Sequence, residues 1–167
     1  MKNQIFMLLL LSCVFSVYAQ DDEIYFADPT IFVENGKYYM TGTIGNGPKG
    51  FAILESKDLK HWNTCDGSAY CMILSPGTTT FGTDMFWAPQ ILKDNGNYYL
   101  TYSANEQTAL AKSESLYGPY VGVTSNVQPI DGSEKNIDSF IFARSNPSGS
   151  GIGKFGKQSR RPLRSSR

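Results

Sequence analysis

Residues 27–43 and 87–103 carry one pattern of apolar and polar positions twice. The first segment reads ADPTIFVENGKYYMTGT and the second WAPQILKDNGNYYLTYS. At a constant offset of 60 they share Pro29/Pro89, Ile31/Ile91, Asn35/Asn95, Gly36/Gly96, Tyr38/Tyr98, Tyr39/Tyr99 and Thr41/Thr101, seven identities in seventeen ungapped positions. Each copy runs an apolar strand into Asn-Gly, the strongest short hairpin signal, and returns on a strand led by Tyr-Tyr. Residues 51–56 and 108–113 then predict third strands. Residues 58–62 and 115–120 read as turns into a fourth. Four short strands in 50 to 60 residues is the size of a β-propeller blade. Residues 137–142 (IDSFIF) match residues 27–32 (ADPTIF) and open a third repeat. The pattern predicts an all-β chain of two blades plus the first strand of a third.

The two ends depart from this pattern. Met1-Lys2 precedes an apolar run over 5–17 that ends in Val17-Tyr18-Ala19. That is the form of a signal peptide over 1–19, too short for a spanning helix, which needs about 20 apolar residues. Export to the periplasm or medium follows, with lipid attachment at Cys13 as the minor alternative. Residues 143–167 hold seven Lys or Arg and no acid, against eight basic and fifteen acidic residues before them. A basic Gly/Ser/Arg-rich stretch buries too little apolar surface to offset its ordering entropy, so 143–167 is expected to be a disordered tail outside the repeat pattern. Nucleic acid is not an expected partner, since an exported chain rarely meets any.

The foldable part is therefore 20–142, rich in Tyr, Phe, Thr and Ile with turn residues at short intervals. It retains Cys65 and Cys71, which in an oxidising compartment can close a disulfide around Asp66-Gly67-Ser68; two free thiols are the alternative. Two cysteines and one distant histidine do not make a zinc site.

Five motifs in order resemble glycoside hydrolase family 43: Ala27-Asp28-Pro29; Phe86-Trp87-Ala88-Pro89; the Asn-Gly-x-Tyr-Tyr hairpins; Ser56-Lys57-Asp58-Leu59-Lys60-His61-Trp62; and Asn136-Ile137-Asp138. The resemblance runs from about Tyr25 to Phe142. It implies a five-bladed propeller that hydrolyses O-glycosyl bonds in arabinose- or xylose-containing polysaccharides with inversion. It implies Asp28 as general base, Asp138 as the carboxylate that orients the catalytic acid and raises its pKa, and Trp87 as an aromatic lining the sugar site. The second repeat has Ala88 at the equivalent place, so the carboxylates are not a blade consensus. The family's general acid is a Glu early in a fourth blade. Glu106, Glu114 and Glu134 do not match it, so the resemblance implies an incomplete catalytic set in this chain alone. No cofactor is expected, apart from a channel calcium whose ligands come largely from later blades. A non-catalytic sugar-binding propeller piece and an inactive frameshifted product are the competing readings. The sucrose and fructan enzymes of five-bladed form would need Asn-Asp-Pro-Asn-Gly, which Ala27-Asp28-Pro29-Thr30 lacks.

Other residues read more simply. Asp28 before proline is also a turn former. The Tyr-Tyr pairs and Trp62 read as packing residues and His61 as a surface turn residue. The loop Gly45-Asn46-Gly47-Pro48-Lys49-Gly50 and the segment 151–156 (GIGKFG) lack the strand-to-helix setting of a phosphate loop.

Overall fold

The computed structural model describes residues 24–124, 126–130, 135–146 and 149–152, which hold twelve strands and no helix. The first four-stranded sheet joins β1 (Phe26–Glu34), β2 (Lys37–Ile44), β4 (Leu54–Ser56) and β5 (Asn63–Thr64) in that order. The second joins β7 (Trp87–Asp94), β8 (Asn97–Ala104), β9 (Gln107–Ser113) and β10 (Val121–Gly122) from one edge to the other. All their pairings are antiparallel. These are the two predicted blades, and the fold is all-β and of propeller type. A small two-stranded sheet of β3 (Phe51–Ala52) and β6 (Met72–Leu74) is added.

The hairpins form where Asn-Gly stands. Asn35 and Gly36 have φ of 50° and 74°, and Asn95 and Gly96 have 48° and 77°. Positive φ at both central residues is the two-residue turn whose twist matches that of the flanking strands. Each inner strand also carries a bulge at its start. The ladder shifts between Ala27 and Thr30 in one blade and between Trp87 and Gln90 in the other. The extra residue at each shift, Asp28 or Ala88, is left-handed, with φ of 48° and 47°. A β-bulge places an unpaired residue there and re-aims its side chain.

The blades pack through an aromatic core. Tyr102 is fully buried, its ring 5.4 Å from Phe51 edge-on and 6.0 Å from Phe86 in a stack. Its hydroxyl donates to the carbonyl of Phe81 at 3.0 Å, and burial raises the phenol's pKa above its ordinary value. Ile53, Ile73, Leu100 and Tyr120 fill the same core. Trp62 is buried in blade one and the His61 side chain is exposed, as their sequence contexts suggest. At the rim of the seam, Glu34 of β1 pairs with Lys93 of β7 and accepts from the Tyr98 hydroxyl at 2.7 Å. The Lys93 hydrogen bond, then that of Tyr98, holds the Glu34 carboxyl below its usual range against the opposing effect of burial.

The third repeat differs from expectation. Residues 137–142 form no named strand; the strands are β11 (Ala143–Asn146) and β12 (Gly149–Ile152), paired antiparallel. Among residues 137–142, Phe140 alone stands in an isolated bridge. β11 and β12 are the described part of the segment expected to be a tail outside the repeat pattern. Residues 1–19 with Cys13, residue Glu134 and the tail beyond 152 lie outside the described residues.

Candidate active site

The left-handed position recurs in the third repeat. Asp138 has φ of 59°, against 48° at Asp28 and 47° at Ala88. Equivalent residues of all three repeats thus share one backbone state, although Ser139 stands where the first two have proline. An L-residue pays roughly 1–2 kcal/mol to adopt it, and aspartate is among the residues that adopt it most readily.

A hydroxyl of the preceding blade holds each later copy. Thr43, at the end of β2, accepts from the Ala88 amide at 3.0 Å. Ser103, at the equivalent place in β8, accepts from the Asp138 amide at 3.2 Å. Thr43 also donates to Asp28 Oδ2 over a long 3.5 Å. One hydroxyl therefore ties the first copy of the position to the second, and its counterpart ties the second blade to the third copy. Trp87, half-buried, is the ladder partner of Ser103 and the neighbour of Ala88. Trp87 is thus next in the chain to Ala88, which Thr43 holds, and opposite Ser103, which holds Asp138; Asp28 and Asp138 are both exposed.

Two further contacts fasten the seams. Thr30 donates to the Pro89 carbonyl at 2.8 Å, and Gln90, its counterpart, accepts from the Ile141 amide at 2.8 Å. Sequence reasoning passes over Thr43 and Ser103. The signal is there: they align at the last position of the seventeen-residue repeat, and both are hydroxyl residues.

The structure joins Cys65 to Cys71, with Cα atoms 5.7 Å apart. Asp58 lies elsewhere, on the outer part of blade one. It accepts from the His61 and Lys60 amides and meets the His61 ring at 2.7 Å, and these bonds, His61 first, hold its carboxyl far below the usual range. This is turn chemistry, in line with the sequence reading of His61. Among the described residues no three His, Cys, Asp or Glu side chains converge. No helix among them is long and apolar enough to cross a membrane.

Comparison with known proteins agrees with this architecture. The model of glycosyl hydrolases family 43 matches residues 23–149, seven residues beyond the boundary read from the repeats. A relative, the extracellular endo-alpha-(1->5)-L-arabinanase 1 of Bacillus subtilis, is 35% identical over 81 residues, covering 47% of this chain and 24% of the relative. Among solved structures, an endo-1,4-beta-xylanase from Bacteroides thetaiotaomicron is 39% identical with a TM-score of 0.61, over 71% of this chain and 38% of that one. An endo-arabinase from the same organism is 25% identical with a TM-score of 0.58, over 71% and 41%. The chain spans about a quarter of the curated relative's length and about two-fifths of these solved structures. With more than half its residues matched by the family model, the chain belongs to glycosyl hydrolases family 43.

Proposed function

We propose that the protein is an inverting glycosidase acting on arabinan- or xylan-type polysaccharides, with Asp28 as general base, Asp138 as the carboxylate that tunes the catalytic acid, and Trp87 as a wall of the sugar site. The observation that carries this reading is the shared left-handed position of three repeats, of which the first and third hold carboxylates and the second, Ala88, does not. Inversion requires a base that activates water on the face opposite the leaving group. Asp28 suits that role. Its carboxylate is exposed, and Thr43 donates to one oxygen while the other is left to take a proton from water. The resemblance assigns the acid to a Glu of a fourth blade. Glu106 does not serve, being paired with Lys135 beside the β8–β9 turn. Export is supported by the leader-like pattern over 1–19 and by the extracellular relative.

The test joins residues 20–142 to the remaining blades of a full-length relative and measures pentose release from arabinan and xylan. Asp28→Asn should lower the rate by roughly 10²–10⁴, the usual weight of general acid–base catalysis. A folded fusion whose rate survives Asp28→Asn would show that the base lies elsewhere.

A further inference from the structure

The chain contains Asn-Gly three times, at Asn35-Gly36, Asn46-Gly47 and Asn95-Gly96. This dipeptide has a chemistry of its own. The backbone amide after an asparagine can attack the side-chain carbonyl carbon, and a glycine, with no side chain, leaves the approach open. All six residues are exposed, so access to water does not separate the three sites. Their backbones do.

Asn35-Gly36 and Asn95-Gly96 are the central pairs of tight turns, closed by the ladder pairs Glu34 with Lys37 and Asp94 with Asn97. All four central residues have positive φ. To bring the glycine nitrogen onto the asparagine side chain, the peptide plane between the two has to turn over. In a two-residue hairpin that produces the II′ turn, which asks for glycine at its first central position. An asparagine there enters a backbone region that suits glycine almost alone. The two hairpins therefore hold their amides away from attack.

Asn46-Gly47 sits in loop 45–50 after β2, a run of bends. Neither residue has positive φ. Among the described residues no hydrogen bond engages the Asn46 side chain or the Gly47 amide. Pro48 follows, with no N–H to tie the loop back to β2. No ladder opposes rotation of the Asn46-Gly47 peptide. Glycine is nevertheless required at 47, because a Cβ would lie 2.7 Å from Ile44 Cγ2 and 2.9 Å from the Tyr70 hydroxyl. Packing thus retains the residue that most exposes the asparagine to attack.

We propose that Asn46 is a site of spontaneous deamidation and isoaspartate formation, and that the hairpins protect Asn35 and Asn95. The Gly47 amide nitrogen, having given its proton to base, bonds to Asn46 Cγ. The C–N bond of the side-chain amide breaks, and ammonia leaves with a proton taken from water. Water then opens the resulting succinimide ring at either carbonyl. One opening gives aspartate. The other gives isoaspartate, whose backbone runs through the former side chain and is longer by one methylene. Either product puts a carboxylate three residues before Lys49, whose ammonium pairs with Asp84 at 3.1 Å. The converted loop therefore carries one more negative charge beside that pair.

The experiment ages the folded chain in mildly alkaline buffer and, in parallel, the same chain unfolded in urea. Trypsin separates the three sites, because Lys37 and Lys49 follow Asn35 and Asn46 and Lys93 precedes Asn95. Mass spectrometry reads the gain of one mass unit and its position on each peptide, and an isoaspartyl methyltransferase reads the isoaspartate. In the folded chain Asn46 should convert at least about tenfold faster than Asn35 and Asn95, a ratio that about 1.4 kcal/mol of resistance in the hairpins supplies. In urea the three rates should converge. Asn46→Gln should abolish the change on the peptide that ends at Lys49, since glutamine has to close a larger and slower ring. Gly47→Ala is a poorer control, because its Cβ does not fit. Equal rates at the three sites of the folded chain, or a change on that peptide that survives Asn46→Gln, would overturn the proposal.

Discussion

Blade one and blade two share a hairpin in sequence and backbone, yet the outer faces of their inner strands differ. Ile31 is 51% exposed and Val33 59%, while Ile91, the counterpart of Ile31, is 8% exposed. The counterpart of Val33 is Lys93, which reaches across the seam to Glu34 of blade one. A blade face becomes core only when another blade is laid against it; the strand itself is the same in both. Burial in this fold is therefore a property of the seam, and equivalent residues should differ in energetic weight.

The largest expected effect comes from testing that pair. Ile91→Ala should destabilise the chain by about 2–4 kcal/mol, as large-to-small changes in cores do. Ile31→Ala should cost less than about 1 kcal/mol, because its side chain is half in water already. Urea denaturation of both variants decides it. Equal costs would mean that the outer face of β1 is covered in solution.

A second comparison lies inside the seams. Thr41 and Thr101 are both buried. Thr101 Oγ1 meets Ser139 Oγ at 2.7 Å, whereas Thr41 Oγ1 is the buried side-chain polar atom left without a partner among the described residues. The cause is a single substitution between repeats: Ser139 stands where the second repeat has Pro89, which carries no hydroxyl. Thr101→Val should therefore cost about 1–2 kcal/mol by stranding the Ser139 hydroxyl. Thr41→Val should be neutral, or stabilising by up to about 1 kcal/mol, because it removes an unsatisfied group. Thermal unfolding measures both, and a loss at Thr41 equal to that at Thr101 would contradict the pairing.

What was legible in the sequence was local. Asn35-Gly36 and Asn95-Gly96 announce their turns because few residues accept positive φ at consecutive positions, and the alternation around them fixes the strands. The left-handed state of Asp28, Ala88 and Asp138 is shared by two residue types, one of them alanine, so residue type does not advertise it. The Asn105-Glu106 turn was also hidden, because glutamate is not a turn signal. The links from Thr43 to Ala88 and from Ser103 to Asp138 span 45 and 35 residues and depend on how blades are laid together. The setting of loop 45–50, without a helix to follow it, excludes a phosphate loop and says nothing more. Its place opposite Asp84, where Lys49 pairs with that carboxylate at 3.1 Å, is a fact of the seam between blades.

The central claim is that Asp28 and Asp138, alike in backbone and separated by one blade, do different work in one site. The most direct measurement is the pH dependence of kcat/KM for the blade-completed enzyme and its two Asp→Asn variants. A bell-shaped profile reports the base on its acidic limb and the acid on its alkaline limb. Asp138→Asn removes the negative charge that keeps the acid protonated, so the alkaline limb should move to lower pH while measurable turnover remains. Asp28→Asn should instead lower the rate at every pH by roughly 10²–10⁴ and erase the acidic limb. An Asp138→Asn profile that matches the parent enzyme in shape and position, or an Asp28→Asn variant that keeps its acidic limb, would contradict the assignment.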